Sequence, residues 1–100
     1  MKIEVLNIAM QDIDAGKQFY EQQQEGLGAY FLDALFADID ALLLYAGVHQ
    51  KFFGYYRALS KRFPYAIYYR LNDETIQVWR VLDYRQNPAR ITKALKNKPA

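Results

Sequence analysis

The sequence contains no cysteine and a single histidine, His49. Without thiols the chain can form neither a disulfide framework nor a cysteine nucleophile. A zinc site needs three or four nitrogen, sulfur or oxygen ligands in a tight cluster, so one histidine without cysteine predicts no metal centre. We interpret His49 as a surface residue of a loop and not as a catalytic group. The sequence therefore favours a protein that works without a metal or another cofactor.

Long apolar runs and phosphate-binding motifs are missing as well. No segment approaches the roughly 18 consecutive apolar residues that a transmembrane helix requires. The residues Met1–Leu6 are too few and too charged for a signal peptide. Neither GxxxxGK[ST] nor GxGxxG occurs, so nucleotide hydrolysis and dinucleotide binding have no support. We expect a cytoplasmic protein without a membrane partner, folded as one domain over residues 1–100.

Charge is present in both signs but is divided between the two halves of the chain. Residues 1–50 carry two Lys or Arg against eight Asp or Glu, and residues 51–100 carry eleven against three. The net charges are −6 and +8. Eleven of the sixteen aromatic residues lie between Tyr45 and Tyr84, among the cations. Such asymmetry is typical of proteins that bind nucleic acid, a membrane surface or an acidic protein, and does not by itself distinguish among them. The rings either form the core or flank the cations on a binding face.

Hydrophobic periodicity predicts the order strand, helix, helix, three strands and a short helix. The predicted bounds are Lys2–Leu6, Asn7–Gln23, Leu27–Tyr45, Tyr55–Arg62, Tyr65–Leu71, Thr75–Leu82 and a short helix that begins at Asn87-Pro88. Asn7 and Asn87 are the expected N-caps of their helices. Gly16 costs its helix up to about 1 kcal/mol relative to alanine, which predicts close approach of a second helix. The class is α+β, with a helical hairpin packed on a twisted, mainly antiparallel sheet.

Alternation along the third predicted strand assigns its side chains to two faces. Ile76, Val78 and Leu82 are expected on one face, opposite Gln77, Trp79 and Val81. On the second helix, Asp33 and Asp40 are seven residues apart and are expected in solvent.

Six cations form the candidate binding set, because several come from neighbouring predicted strands and could converge on one concave sheet face. They are Arg57, Lys61, Arg62, Arg70, Arg80 and Arg85. Such a patch could hold several phosphates. It could also stabilise the charge that develops when a 2′-hydroxyl attacks a phosphodiester, with Asp83 and Tyr84 as the nearest proton acceptor and donor. Alternatively, these cations solvate the sheet edges.

The segment Ala58–Pro88, ALSKRFPYAIYYRLNDETIQVWRVLDYRQNP, resembles the RelE/ParE superfamily of toxins from type II toxin–antitoxin systems. Its start, KRFPY followed by IYY, is similar to the strand pair of the ParE-like, plasmid-stabilisation branch. Phe19–Leu35 is similar to the helical hairpin of that branch. The resemblance extends over nearly the whole chain. It implies an N-terminal strand, a helical hairpin on the sheet and a short C-terminal helix.

The last strand of this family often continues into the pattern Leu-His-x-Arg-Arg-Asp-Pro, which here is Leu82–Pro88. Leu82, Arg85 and Pro88 match, whereas Asp83 replaces the histidine and Gln86-Asn87 replaces Arg-Asp. RNA-cleaving relatives place acid–base and phosphate-binding groups near this position. If the chain cleaves RNA, the resemblance implies Asp83, Tyr84 and Arg85 as its catalytic residues.

Three functions are compatible with these observations. The first is a ParE-like toxin that inhibits DNA gyrase without being an enzyme and that a small acidic antitoxin neutralises. Complementary charge would direct that antitoxin to the basic half, in a toxin–antitoxin hetero-oligomer or on a homodimer. The second is a metal-independent endoribonuclease that acts on mRNA at the ribosome. The third is a non-toxic or degenerate member of the fold that acts as a binding module.

Overall fold

The computed structural model describes residues 1–96. Its elements are β1 (Lys2–Val5), α1 (Asn7–Gln23), α2 (Leu27–Asp40), α3 (Leu42–Tyr45), β2 (Lys51–Phe52), β3 (Tyr55–Leu59), β4 (Tyr65–Asn72), β5 (Thr75–Asp83) and α4 (Pro88–Lys96). The predicted order of elements is confirmed, with one additional short strand. Among these helices, none is both long enough and apolar enough to cross a membrane.

The five strands form one mixed sheet in the order β1-β5-β4-β3-β2. β1 runs parallel to β5, and the other neighbours are antiparallel. This arrangement confirms the predicted α+β class with a mainly antiparallel sheet. It also leaves β1 and β2 as edge strands, and β1 covers β5 only as far as Val78.

The two faces of the sheet pack against different helices. On the inner face, α1 and α2 bury a large core that includes Ile13, Phe31, Leu35 and Tyr69. On the outer face, Leu95 of α4 lies in a smaller cluster; its other buried members are Tyr55, Ala66, Tyr68 and Leu82. Each large apolar side chain buried in this way contributes about 1.5–3 kcal/mol. The helical hairpin therefore provides most of the stabilising burial.

Gly16 allows the two long helices to approach closely, as its position within a helix predicts. A Cβ at this position would lie 2.6 Å from Cζ of Phe31 and 3.1 Å from the hydroxyl of Tyr65. Phe31 is fully buried and stacks on Tyr20, with ring centroids 5.1 Å apart. The cost of the glycine in α1 is therefore offset by contact with α2.

The second long helix differs from its prediction near its end. The expected helix Leu27–Tyr45 is wrong at Ala41, where the structure separates α2 from α3. The N–H of Leu44 donates to the carbonyl of Ala41, three residues earlier, at 3.0 Å. This spacing closes a tighter turn than the four-residue spacing of an α-helix. Asp33 and Asp40 are exposed, as predicted.

The hairpin of β2 and β3 was not predicted. Its turn residues Phe53 and Gly54 both have positive φ, 54° and 85°, which matches the backbone of a tight hairpin. The two-residue β2 is too short to show alternation. The predicted strand Tyr55–Arg62 ends at Leu59, because a loop begins after β3 and continues to Pro64.

The two predicted N-caps have different outcomes. Asn7 is already helical, Leu6 occupies the cap position, and no side chain caps α1, so the prediction for Asn7 is wrong. Asn87 is confirmed, because its Oδ1 accepts a hydrogen bond from the N–H of Ala89 at 2.9 Å. Pro88 is the first residue of α4, as predicted.

A bulge in β5 exchanges the faces of the sheet on which the side chains of its second half lie. Tyr68 pairs with Arg80 and Tyr69 with Val78, so Trp79 is the extra residue. Val81 consequently lies in the inner core and Leu82 in the outer cluster. The predicted placement of Leu82 beside Val78, opposite Val81, is therefore wrong, because strict alternation does not allow for an inserted residue.

Candidate protein-binding surface

The six cations predicted to converge on one face are divided among four places. Arg57 and Arg70 lie on the outer face of the sheet, and Lys61 and Arg62 lie in the β3–β4 loop beside α2. Arg80 lies at the edge of β5, and Arg85 follows the end of that strand. The expectation of a single concave cationic face is therefore wrong, since strand bounds and the β5 bulge direct these side chains differently.

Arg57 and Arg70, which we call the outer-face arginines, are each held between two aromatic rings. The guanidinium carbon of Arg57 lies 5.1 Å from the ring centroid of Phe52 and 5.7 Å from that of Tyr84. Arg70 lies 4.4 Å from Tyr55 and 5.0 Å from Trp79. Within residues 1–96, neither arginine forms an ion pair. Cation–π contacts orient both guanidinium groups while leaving their N–H donors available to an anionic partner.

A groove of about 260 Å³ runs beside Arg57 between the β2–β3 hairpin and α4. Its lining includes Phe52, Phe53, Arg57, Tyr68, Ile91 and Leu95. Phe53 is 53% exposed, and Nζ of Lys96 lies 5.6 Å above its ring. We call this feature the outer groove. It combines apolar walls with cations, which suits an apolar side chain flanked by carboxylates.

Arg80 has an internal partner. Its Nε and Nη2 donate to the two carboxylate oxygens of Asp12 at 2.7 and 3.0 Å. The same carboxylate accepts a hydrogen bond from the N–H of Val81 at 3.0 Å. The exposed fractions of Arg80 and Asp12 are only 18% and 13%. This pair fastens α1 to the edge of β5, so Arg80 stabilises the fold and is not free to bind a ligand.

Asp83 and Arg85 bind each other. The Oδ1 of Asp83 accepts hydrogen bonds from N–H and Nε of Arg85 at 2.8 and 3.1 Å, and Oδ2 accepts one from Nη2 at 2.8 Å. These hydrogen bonds lower the pKa of Asp83 and raise the pKa of Arg85. Asp83 is therefore ionised at neutral pH. Tyr84 is 39% exposed and lies beneath Arg57 on the other side.

Two tyrosines close to this pair stay protonated at neutral pH. Burial, together with the nearby Tyr20 and Asp83, raises the pKa of Tyr65 to about 12. Burial also raises the pKa of Tyr20. Both hydroxyls can donate a hydrogen bond, but neither is suited to accept a proton from a substrate.

Lys61 and Arg62 are associated with α2. The carboxylate of Asp38 accepts hydrogen bonds from Oγ of Ser60 at 2.6 Å and from N–H of Lys61 at 3.3 Å. Nη1 of Arg62 donates to the hydroxyl of Tyr30, a residue that is 45% exposed. The charged ends of this loop therefore lie beside the helical hairpin and away from the outer groove.

Sequence reasoning missed several residues of the surface. Phe52, Phe53 and Trp79 hold the cations, and the only signal for them was the dense alternation of aromatic residues with cations. The interpretation of His49 as a plain surface residue is wrong, because Nδ1 of His49 hydrogen-bonds the hydroxyl of the buried Tyr69. Between Met1 and Lys96, no group of three or more His, Asp or Glu side chains is placed to hold a metal ion.

No protein-family model matches the sequence, and no curated protein matches it. Among solved structures, the chain is similar to a chain of the chromosomal ParDE TA system from P. aeruginosa. The TM-score is 0.70 at 18% sequence identity, and the match covers 81% of this chain and 92% of the other. This likeness confirms the predicted ParE-like fold.

Proposed function

We propose that this chain is the toxin of a type II toxin–antitoxin module, inhibits DNA gyrase and is neutralised by a small acidic antitoxin. The observation that carries the proposal is the structural match over 92% of a chain from a ParDE system. The proposal treats residues 1–100 as one cytoplasmic domain. It includes assembly with the antitoxin as a hetero-oligomer.

The charge of the outer face supports an acidic partner. Arg57 and Arg70 are oriented by aromatic rings and pair with no acid among residues 1–96. The adjoining outer groove adds apolar walls. A partner with carboxylates around an apolar side chain matches both properties, and opposite charge speeds the encounter. Buried apolar anchors then provide affinity.

The state of Asp83 and Arg85 favours a binding protein over a nuclease. A general base works best when its pKa lies near the working pH, whereas Arg85 lowers the pKa of Asp83. The Arg85 guanidinium already donates to that carboxylate and has fewer N–H groups left for a phosphate. Two of the three residues that a metal-independent endoribonuclease would need, Asp83 and Arg85, are therefore engaged with each other.

The test is induction from a tightly repressed promoter, with pulse labelling of DNA and protein synthesis during the first minutes. We expect DNA synthesis to stop first. We assign the outer-face arginines to target binding as well as to the antitoxin, so the variant Arg57→Gln/Arg70→Gln should delay this arrest. Lys2→Gln/Lys17→Gln is the matched control, since it removes the same charge from β1 and α1 and should act as the unmodified protein does.

Two results would contradict the proposed function, and a third would contradict only the role of the outer-face arginines. Earlier loss of protein synthesis would indicate an mRNA endoribonuclease, with Asp83, Tyr84 and Arg85 as the residues to substitute next. Unchanged synthesis of both polymers would indicate a non-toxic member of the fold. Equal arrest by the two double variants would exclude the outer-face arginines from target binding.

A further inference from the structure

The edge of β5 is only half covered. β1 pairs with β5 from Thr75 to Val78, and the chain then turns away from the sheet at Leu6 to begin α1. The N–H of Leu6 donates to the carbonyl of Val78 at 3.0 Å, which is the last hydrogen bond of this parallel pair. β5 itself continues to Asp83. The last part of β5 therefore has a strand, β4, on one side alone.

Two backbone groups are available along this free edge. The N–H of Tyr84 donates to the carbonyl of Pro64, which places Leu82 and Tyr84 toward β4 and turns Val81 and Asp83 outward. Asp12 occupies the N–H of Val81, and the N–H of Gln86 reaches the carbonyl of Asp83 at 3.4 Å. β1 does not reach the carbonyl of Val81 or the N–H of Asp83, and neither group has a partner among the turn, loop and side-chain hydrogen bonds of residues 1–96. In a parallel ladder, one residue of a neighbouring strand bonds both such groups.

The free edge lies at the base of an open cleft of about 540 Å³ between α1 and the start of α4. We call it the edge cleft. Ala15 and Phe19 of α1 form one wall with Leu82, and Phe19 is 49% exposed. Gln86 and Arg90 form the opposite rim. The volume lies within the range of specific ligand sites.

The charge of the edge cleft is set by Arg90. Asp12 neutralises Arg80, and Asp83 is paired with Arg85. Arg90 also lines the cleft and forms no ion pair in the described part of the chain. An occupant therefore meets one uncompensated cation opposite an apolar wall.

We propose that the edge cleft binds an extended peptide segment that adds to the sheet in line with β1 and parallel to β5. One residue of this segment donates its N–H to the carbonyl of Val81 and accepts the N–H of Asp83. A carboxylate of the segment pairs with Arg90, and an apolar side chain packs on Phe19. Strand addition gives affinity through the main chain and selectivity through alternate side chains. That the segment belongs to the antitoxin rests on the proposed function.

The test is an NMR titration of the isotopically labelled full chain with the acetylated, amidated heptapeptide TVEVEVT. We expect the backbone amide of Asp83 to shift and to exchange its hydrogen more slowly as the peptide binds. The lysine counterpart TVKVKVT should bind at least about fivefold more weakly, because it opposes Arg90. The fully N-methylated TVEVEVT should cause no shift, because it cannot donate to Val81.

A pair of variants on α1 separates the edge cleft from the rest of the surface. Ala15→Glu places a carboxylate in the cleft beside Arg90 and should weaken TVEVEVT binding about tenfold. Gln18→Glu adds the same charge to an exposed position that does not line the cleft, and should change the affinity less than about twofold. Both side chains are exposed and both residues lie away from the ends of α1, so both variants should fold.

The inference is overturned if the Asp83 amide does not respond, if the lysine peptide binds equally well, or if Ala15→Glu has no effect. Concentration-dependent pairing of two copies through this edge, without peptide, would also overturn it. Its outcome is distinct from that of the induction experiment. If the peptide binds but the protein is not toxic, the edge cleft stands as a peptide-binding site and the assignment of its segment to an antitoxin is rejected. Toxicity without peptide binding would keep the proposed function alone.

Discussion

The contact between Gly16 and Phe31 allows a test in which two effects oppose each other. Gly16→Ala should stabilise α1 by about 1 kcal/mol through helix propensity. The new Cβ, however, would lie 2.6 Å from Cζ of Phe31, about 1 Å inside an ordinary carbon–carbon contact. The Phe31 ring cannot move freely, because the ring centroids of Tyr20, Phe63 and Tyr65 lie 5.1, 4.9 and 4.9 Å away.

Overpacking of this kind costs typically about 1–3 kcal/mol. The two effects combined predict a net loss of up to about 2 kcal/mol. Each 1 kcal/mol lost should lower the melting temperature by about 4–8 °C for a domain of this size. The assay is urea unfolding. The free energies of unfolding of the variant and the unmodified protein are compared only if both depend on urea concentration with the same slope. Ala15→Gly is the matched control, since this neighbouring position is exposed and reports propensity in α1 without a packing term.

A second background makes the test decisive. In Phe31→Leu the atoms nearest the new methyl group are gone, so Gly16→Ala should become neutral or stabilising there. The coupling between the two sites should be about 1–3 kcal/mol. Stabilisation by Gly16→Ala in the unmodified protein, equal to the loss caused by Ala15→Gly, would refute the close packing of α1 on α2.

Three further predictions concern polar contacts. Asp12→Ala should lower the free energy of unfolding by about 3 kcal/mol, because it leaves Arg80 unpaired, and Asp12→Asn by roughly half as much; equal losses in urea unfolding would contradict a role for the charge. The pKa of Asp83 is lower in the folded state, so its pairing with Arg85 stabilises the fold above about pH 4 and this contribution disappears as pH falls through the folded pKa. The stability difference between the unmodified protein and Arg85→Gln should therefore shrink from pH 7 toward pH 2, and a difference independent of pH would disprove the linkage. Tyr69→Phe should cost about 1 kcal/mol, since its hydroxyl accepts the N–H of a loop glycine at 2.9 Å and bonds a histidine, and unchanged unfolding would show that these bonds add nothing.

The fold could be predicted from the sequence wherever periodicity was long and unambiguous. α1, α2, β4 and β5 each have enough residues to show their period, and Asn87-Pro88 has a cap chemistry that acts locally. Errors in the number and bounds of the elements occur where the signal is short. β2 has only two residues, and the tightened turn at Ala41 interrupts a helix without a proline or glycine to indicate it.

The candidate site was less predictable because it depends on which side chains meet. The clustering of cations with aromatic residues correctly indicated cation–aromatic contacts, and Arg57 and Arg70 form them. The sequence does not indicate that Asp12 forms an ion pair with Arg80, since these residues are 68 positions apart. The pairing of Asp83 with Arg85 is local, yet its effect on the pKa became apparent only from the hydrogen-bond geometry.

The class of the fold and the order of its main elements follow from the sequence, because periodicity and caps act over a few residues. The division of charge is read directly from the composition of the two halves. Tertiary structure alone decided the β5 bulge, the separation of the six cations and the uncovered edge at Val81–Asp83. Each of these depends on where one strand ends relative to another. Such register is set by packing across the whole sheet and not by the residues of a single segment.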